Sequence, residues 1–184
     1  MTVDEFITKQ RQRINQVREK AFVIAVNDTH TKMASRIFND GEAASGALIG
    51  SYNTTRPLYV NPKKSPKSFP VGGKTGNKKT KNGKTLKHKT AFFYSYRDFK
   101  QVIGQPTDKV RLNLFGRMQS DFVTGLRKIS DIEYIVSFKQ KNNLKKARGQ
   151  EGHFGQQIFK LGDEELRNFS RVMRLETNRI LYGK

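Results

Sequence analysis

Residues 2–41 read TVDEFITKQRQRINQVREKAFVIAVNDTHTKMASRIFNDG, and this stretch decides the fold. Thr2-Val3-Asp4-Glu5 has the form of a capping box, in which the threonine hydroxyl accepts from the backbone at Glu5 and the glutamate reaches back. Met1 and Phe6 stand where a hydrophobic staple closes. Ile14, Val17, Ala21, Ala25, Thr29, Met33 and Ile37 recur at three- and four-residue spacing, with Phe22 and Val26 widening the stripe. Asn39-Asp40-Gly41 supplies the stop. An unbroken helix of about 35 residues, at ~1.5 Å each, is longer than a small domain is wide. The sequence therefore predicts a kink near Asn27-Asp28 together with a projection onto a neighbour.

Outward from the helix, GEAASGALIGSYNTTRPLYV is turn-rich and ends in an extended piece, Leu58-Tyr59-Val60. AFFYSYRDFKQVIG places Phe92, Phe93, Tyr96, Phe99 and Ile103 on one helical face closed by Gly104. Val110–Leu114 and Tyr134–Phe138 read as strands, with Phe122–Leu126 as a third. Gly162-Asp163-Glu164-Glu165 opens a final helix, its acids beside the positive end. Leu166, Phe169, Val172, Met173, Glu176 and Ile180 share a face, and Gly183 closes it. The expected fold is α+β: a long N-terminal helix, a small antiparallel sheet and a C-terminal helix, as one domain over 1–184.

Charge is concentrated in one place. Across 184 residues, 36 basic against 16 acidic side chains leave a formal net charge of +20. Residues 61–90 carry ten lysines (Lys63, Lys64, Lys67, Lys74, Lys78, Lys79, Lys81, Lys84, Lys87 and Lys89) and no acid. This stretch has neither helical nor strand periodicity, and few apolar side chains to offset the entropy of ordering it. It reads as an exposed basic loop or arm inserted into the domain. Its lysines are the candidate polyanion or partner contacts, binding without sequence preference and with steep salt dependence.

Other chemistry is largely excluded. With no cysteine, disulfides, zinc–thiolate sites and thiol nucleophiles are ruled out. No apolar run approaches the roughly 18 to 20 residues of a membrane span, and MTVDEFITKQ lacks a signal peptide's apolar core. A soluble, cytosol-made protein without membrane contact is expected. Gly73-Lys74-Thr75 and Gly83-Lys84-Thr85 mimic the end of a phosphate loop, but Ser68 and Lys78 occupy the places of its first glycine. The histidines at 30, 88 and 153 share no ligand spacing. Gly152-His153-Phe154-Gly155 fits a bare GxxG, for which a turn is the simpler account. Asp131 and Glu133 fall on one side of the expected strand with Asp108 one strand earlier, but no lysine follows Glu133 at a nuclease's spacing, and exposed strand-edge carboxylates explain the pair better. The expectation is no enzyme and no cofactor.

Three runs carry a family resemblance. Arg36-Ile37-Phe38-Asn39-Asp40-Gly41, followed by Gly46-Ala47-Leu48-Ile49-Gly50-Ser51-Tyr52, resembles the region after the first helix in tailed-phage virion morphogenesis proteins. Leu112–Asp121 is similar to the family's "T-G-x-L-x-x-S" turn, with Phe115 and Met118 replacing its threonine and leucine. Glu151-Gly152-His153-Phe154-Gly155 and Ile158–Glu165 resemble the family's "E-x-x-F-G" and "I-F-x-L-S-x-E-E", which lead into its last helix. Gly162 stands where a serine cap is usual, and glycine is an acceptable cap. The resemblance covers roughly residues 1–60 and 105–184.

It implies a structural virion protein, a head–tail connector, neck or tail-completion subunit that forms a homo-oligomeric ring at the head–tail junction or tail. Portal, connector or tail proteins are its implied partners. The lysine segment lies outside the resemblance, and its charge suits packaged DNA or an acidic face of a neighbouring virion protein. The alternative is a non-sequence-specific nucleic-acid-binding accessory protein that uses the lysine-rich segment.

Overall fold

The computed structural model describes residues 2–60, 78–79, 85–86, 91–112 and 116–183. The domain expected over 1–184 divides by its contacts into two compact units, Met1–Ile49 with Arg111–Lys184, and Gly50–Val110. The lysine-rich insertion falls within the second.

In the first unit, helix α1 runs from Val3 to Ser35. Its capping box forms as the sequence predicts: the Glu5 amide donates to Thr2 Oγ1 at 3.2 Å, and the Thr2 amide to Glu5 Oε2 at 2.8 Å. No break occurs at Asn27-Asp28, which corrects the expected kink. Asn27 Nδ2 donates to the Val23 carbonyl and Thr31 Oγ1 to the Asn27 carbonyl, so these polar side chains bond along the helix instead of opening it. The helix passes into one π turn, Arg36–Asp40, and ends at Gly41 with φ 67°. Ile37 and Phe38, in this turn, are both buried in the core.

Helix α5 (Asp163–Tyr182) lies antiparallel on α1, as the pairs Arg36–Glu165, Asp28–Asn168 and Phe22–Phe169 show. Ala21 and Ala25, both fully buried, keep that face of α1 slim. Val17, Thr29 and Met33 are buried on the predicted stripe, His30 and Ala34 join them, and Ile14 is exposed.

Between the two helices the chain departs from expectation. Residues 122–126 are not a strand. Helix α3 (Arg117–Val123) ends there and strand β5 (Leu126–Ser130) begins, with Phe122 buried on the helix and Leu126 half-buried at the start of the strand. At Gly125 a Cβ would lie 1.6 Å from the Ser137 carbonyl oxygen, so only glycine fits. β5 pairs antiparallel with β6 (Glu133–Val136), which covers most of the strand expected at 134–138. Helix α4 (Lys141–Phe154) was not expected, and Gly152-His153-Phe154 forms its last turn with Gly155 as its left-handed cap. Val110, Arg111 and Leu112 are irregular, contrary to the strand expected at 110–114, whose last two residues lie outside the described ones. The core centres on Phe122, whose ring lies 5.1 Å from His30, 5.7 Å from Phe38, 5.3 Å from Phe138 and 5.9 Å from Phe159.

The second unit holds strands β1 (Leu58–Val60) and β4 (Ala91–Phe93), paired antiparallel. β2 (Lys78–Lys79) and β3 (Thr85–Leu86) form a second ladder. Helix α2 (Tyr96–Val102) starts at Ser95, whose hydroxyl accepts from the Asp98 amide at 3.1 Å. The helical face expected from Phe92 onward therefore begins only at Tyr96, because Ala91–Phe93 is drawn into pairing with β1. Phe93, Phe99, Tyr96 and Tyr52 stack in sequence, and the buried Lys100 ammonium sits 5.5 Å from the Tyr52 ring centre.

Removing the central ring tests this core. Phe122→Ala should destabilise the first unit by about 3–5 kcal/mol, read from urea denaturation. A loss below ~1 kcal/mol would mean that Phe122 is not its centre.

Candidate assembly surface

A polar latch fixes the geometry of the first unit. Arg36 Nε donates to Glu165 Oε1 at 2.5 Å. Its Nη1 donates to the Glu42 carbonyl at 2.8 Å, and its Nη2 to the carbonyls of Ile158 and Lys160 at 3.3 and 3.0 Å. One guanidinium thus ties the end of α1 to the loop after it, to the 156–162 segment and to the start of α5. Glu165 uses its second oxygen to accept from the Gly162 amide at 2.5 Å, satisfying an orphan donor of α5. Gly162 is required here, because a Cβ would meet the Ala44 carbonyl oxygen at 2.3 Å. Glu151 Oε1 accepts from the amides of Ile158 and Phe159 at 2.9 and 3.0 Å, holding the same segment from α4. A crevice of about 560 Å³ opens beside the latch, lined by Lys32, Asp40, Ser45, Asp163 and Arg167 among others.

Beyond the latch, α1 outruns its partner. From Thr2 to Gln16 every side chain except the half-buried Gln10 is exposed, and burial begins at Val17. Val3, Ile7, Gln10 and Ile14 follow the spacing of a helix–helix seam, with Phe6 beside them. Val3 is 75 % and Ile14 59 % exposed. Farther along the same helix, Phe22, Val26, Tyr134, Leu166 and Phe169 line an apolar groove of about 220 Å³. The first unit therefore presents an apolar ridge and an apolar groove at different points along one helix.

The residues singled out in the sequence fare unevenly. Of the ten candidate lysines, Lys78 and Lys79 lie in β2, their backbones paired with Leu86 and Thr85. Lys63, Lys64, Lys67, Lys74, Lys81, Lys84, Lys87 and Lys89 lie outside the described residues. Asp131 sits in the turn between β5 and β6, not on a strand, and pairs with Lys128 at 2.8 Å. That hydrogen bond holds its carboxyl pKa below the usual range. Lys128 also reaches Glu19 at 3.0 Å, anchoring the hairpin turn to α1. Asp108 belongs to the other compact unit. Among the described residues no group of three or more histidine and acidic side chains gathers as a metal site, and no helix is long and apolar enough to cross a membrane. The sequence reading missed His30, buried against Phe122. Its place four residues after Val26 and three before Met33 was the available signal.

No protein-family model, no curated protein sequence and no solved structure matches this chain.

Two measurements follow. Arg36→Met or Glu165→Gln alone should cost about 3–5 kcal/mol, because each strands a desolvated partner. The double variant should lose less than the sum, and strict additivity would show that the latch is not a unit. Burial pushes the His30 pKa below its ordinary value, against a backbone hydrogen bond to Phe122. The unfolded chain then takes up the proton first. Stability should hold above the ordinary histidine pKa of about 6.5 and fall below it. Urea midpoints at neutral and mildly acidic pH should shift less in His30→Leu than in the native chain.

Proposed function

We propose that the chain is a structural virion protein of a tailed phage, a ring-forming head–tail connector or tail-completion subunit. The observation that carries this reading is the exposed apolar row Val3, Ile7 and Ile14 on a helix that outruns its own unit. A closed ring joins two different surfaces of one chain by the same contact at every step. The α1 ridge of one copy and the groove at Phe22, Leu166 and Phe169 of the next supply such a pair. The family resemblance supports the reading from another side. Arg36, Gly41, Glu151, Gly162 and Glu165, which it quotes from distant runs, meet in and around the latch. The charge of the lysine-rich segment suits a position beside packaged DNA or an acidic virion protein.

Complementation tests the contact. An Ile7→Asp/Ile14→Asp subunit and a Leu166→Asp subunit should each sediment as monomers with unchanged melting temperatures, since all three side chains are exposed. Mixed in equal amounts, they retain one intact ridge–groove pair and should form a heterodimer. Electron microscopy of the native chain should show closed rings. A native chain that stays monomeric at high concentration, or variants that assemble normally, would reject the proposal.

A further inference from the structure

Helix α4 carries a second surface, and the assembly reading does not account for it. Its inward row is Asn143, Ala147, Gln150 and Phe154, at spacings of 4, 3 and 4 residues. Its outward row repeats those spacings with Lys141, Lys145, Arg148 and Gly152, all exposed, and Lys146, Gly149 and His153 lie beside it. Lys139 precedes the helix, also exposed. The only acid within α4 is Glu151, and its Oε1 is occupied by the Ile158 and Phe159 amides. None of these lysines, nor Arg148, makes an ion pair with a described residue. Four cations on α4, with Lys139 just before it, thus face solvent without an ion pair to any described residue.

The helix is held rigidly. The buried Asp121 carboxylate accepts from the Gln140 amide at 3.2 Å and from Asn143 Nδ2 at 3.0 Å, pinning the start of α4. Gly155 caps its end. Gly149 and Gly152 lie inside the helix, where glycine is less favourable than alanine, yet a Cβ at either position would meet nothing within 4 Å. The chain's own packing does not require them.

We infer that the Lys141–Lys145–Arg148 face of α4 binds the phosphate backbone of duplex nucleic acid, with Gly149 and Gly152 leaving room for the strand to approach the helix. The composition favours phosphate over an acidic protein. Protein interfaces are built around desolvated aromatic or aliphatic anchors and are depleted of lysine. This row has lysines, an arginine and a glycine, and no exposed apolar side chain. An α-helix also matches the width of the major groove. Such contacts position the chain without reading sequence. The inference is independent of the ring proposal: a monomer would bind by the same face.

The test uses the full chain and a 30-base-pair duplex of arbitrary sequence, titrated across a salt series. Lys141→Gln/Lys145→Gln/Arg148→Gln should keep the native melting temperature and bind about 10- to 100-fold more weakly near physiological salt. The slope of log K against log salt should fall by about 2–3, one phosphate contact per cation removed. Lys9→Gln/Arg11→Gln/Arg13→Gln on α1 removes the same charge elsewhere and should leave the slope unchanged. Gly149→Gln/Gly152→Gln should weaken binding several-fold at an unchanged slope. An unchanged slope in the α4 charge variant, an equal fall in the α1 variant, or indifference to the glycine substitutions would overturn the inference. Native DNA binding in the α4 charge variant with lost affinity for poly-glutamate would also overturn it, and would assign the face to an acidic protein.

Discussion

The arrangement of the first unit depends on one guanidinium. Arg36 sits where α1 gives way to the π turn, and its donors reach three other segments. Burying such a charge is costly unless a partner and further acceptors satisfy it. Here Glu165 supplies the counter-charge and three carbonyls take three of the four other N–H donors. The gain lies mainly in uniqueness: α5 sliding one turn along α1 would strand both charges in the interior. The latch therefore sets the register of the two long helices, and the lower-energy apolar packing of Phe22 on Phe169 follows it.

The same constraint explains two local irregularities. The π turn at residues 36–40 carries Ile37 and Phe38 into the core while Arg36 reaches the latch. Gly162 is equally forced, since the approach of the 41–49 loop leaves no room for a Cβ beside the Ala44 carbonyl. In the sequence, glycine at this helix start reads only as an acceptable substitute for a serine cap. In the structure its amide is capped by Glu165 from within the helix.

How much was legible in the sequence follows from where the burial signal was apolar. α1 and α5 announced themselves through caps and one-sided apolar spacing, and both ends of α5 fell where expected. The α+β class followed from them together with the strands expected at 58–60 and 134–138, most of which form. α4 was illegible because its inward row starts with Asn143, whose burial depends on Asp121 some twenty residues away. A partner at that distance leaves no trace in a local pattern. Residues 122–126 misled for the opposite reason: an apolar run spanning a helix end and a strand start looks like one strand. The exposed apolar row on α1 is half legible, since Ile14 stands on the stripe and the helix is too long for a small domain, but Val3 and Ile7 are not part of that stripe.

These distinctions bear on what the resemblance carries. Arg36, Ile37, Phe38, Gly41, Ile49, Ile158, Gly162 and Glu165 are latch, turn or core residues. A chain could keep all of them and still change every exposed side chain without changing its fold. These residues of the quoted motifs thus speak to architecture, and specificity has to be sought in exposed surfaces, most of which lie outside the motifs. In the first unit those surfaces are the ridge at Val3, Ile7 and Ile14 and the basic row at Lys141, Lys145 and Arg148. They differ in chemistry, one apolar and one cationic, so they respond oppositely to salt: high ionic strength screens the charge of the basic row and leaves apolar burial intact or strengthened. If the two proposed contacts are made by these surfaces, ionic strength alone separates them.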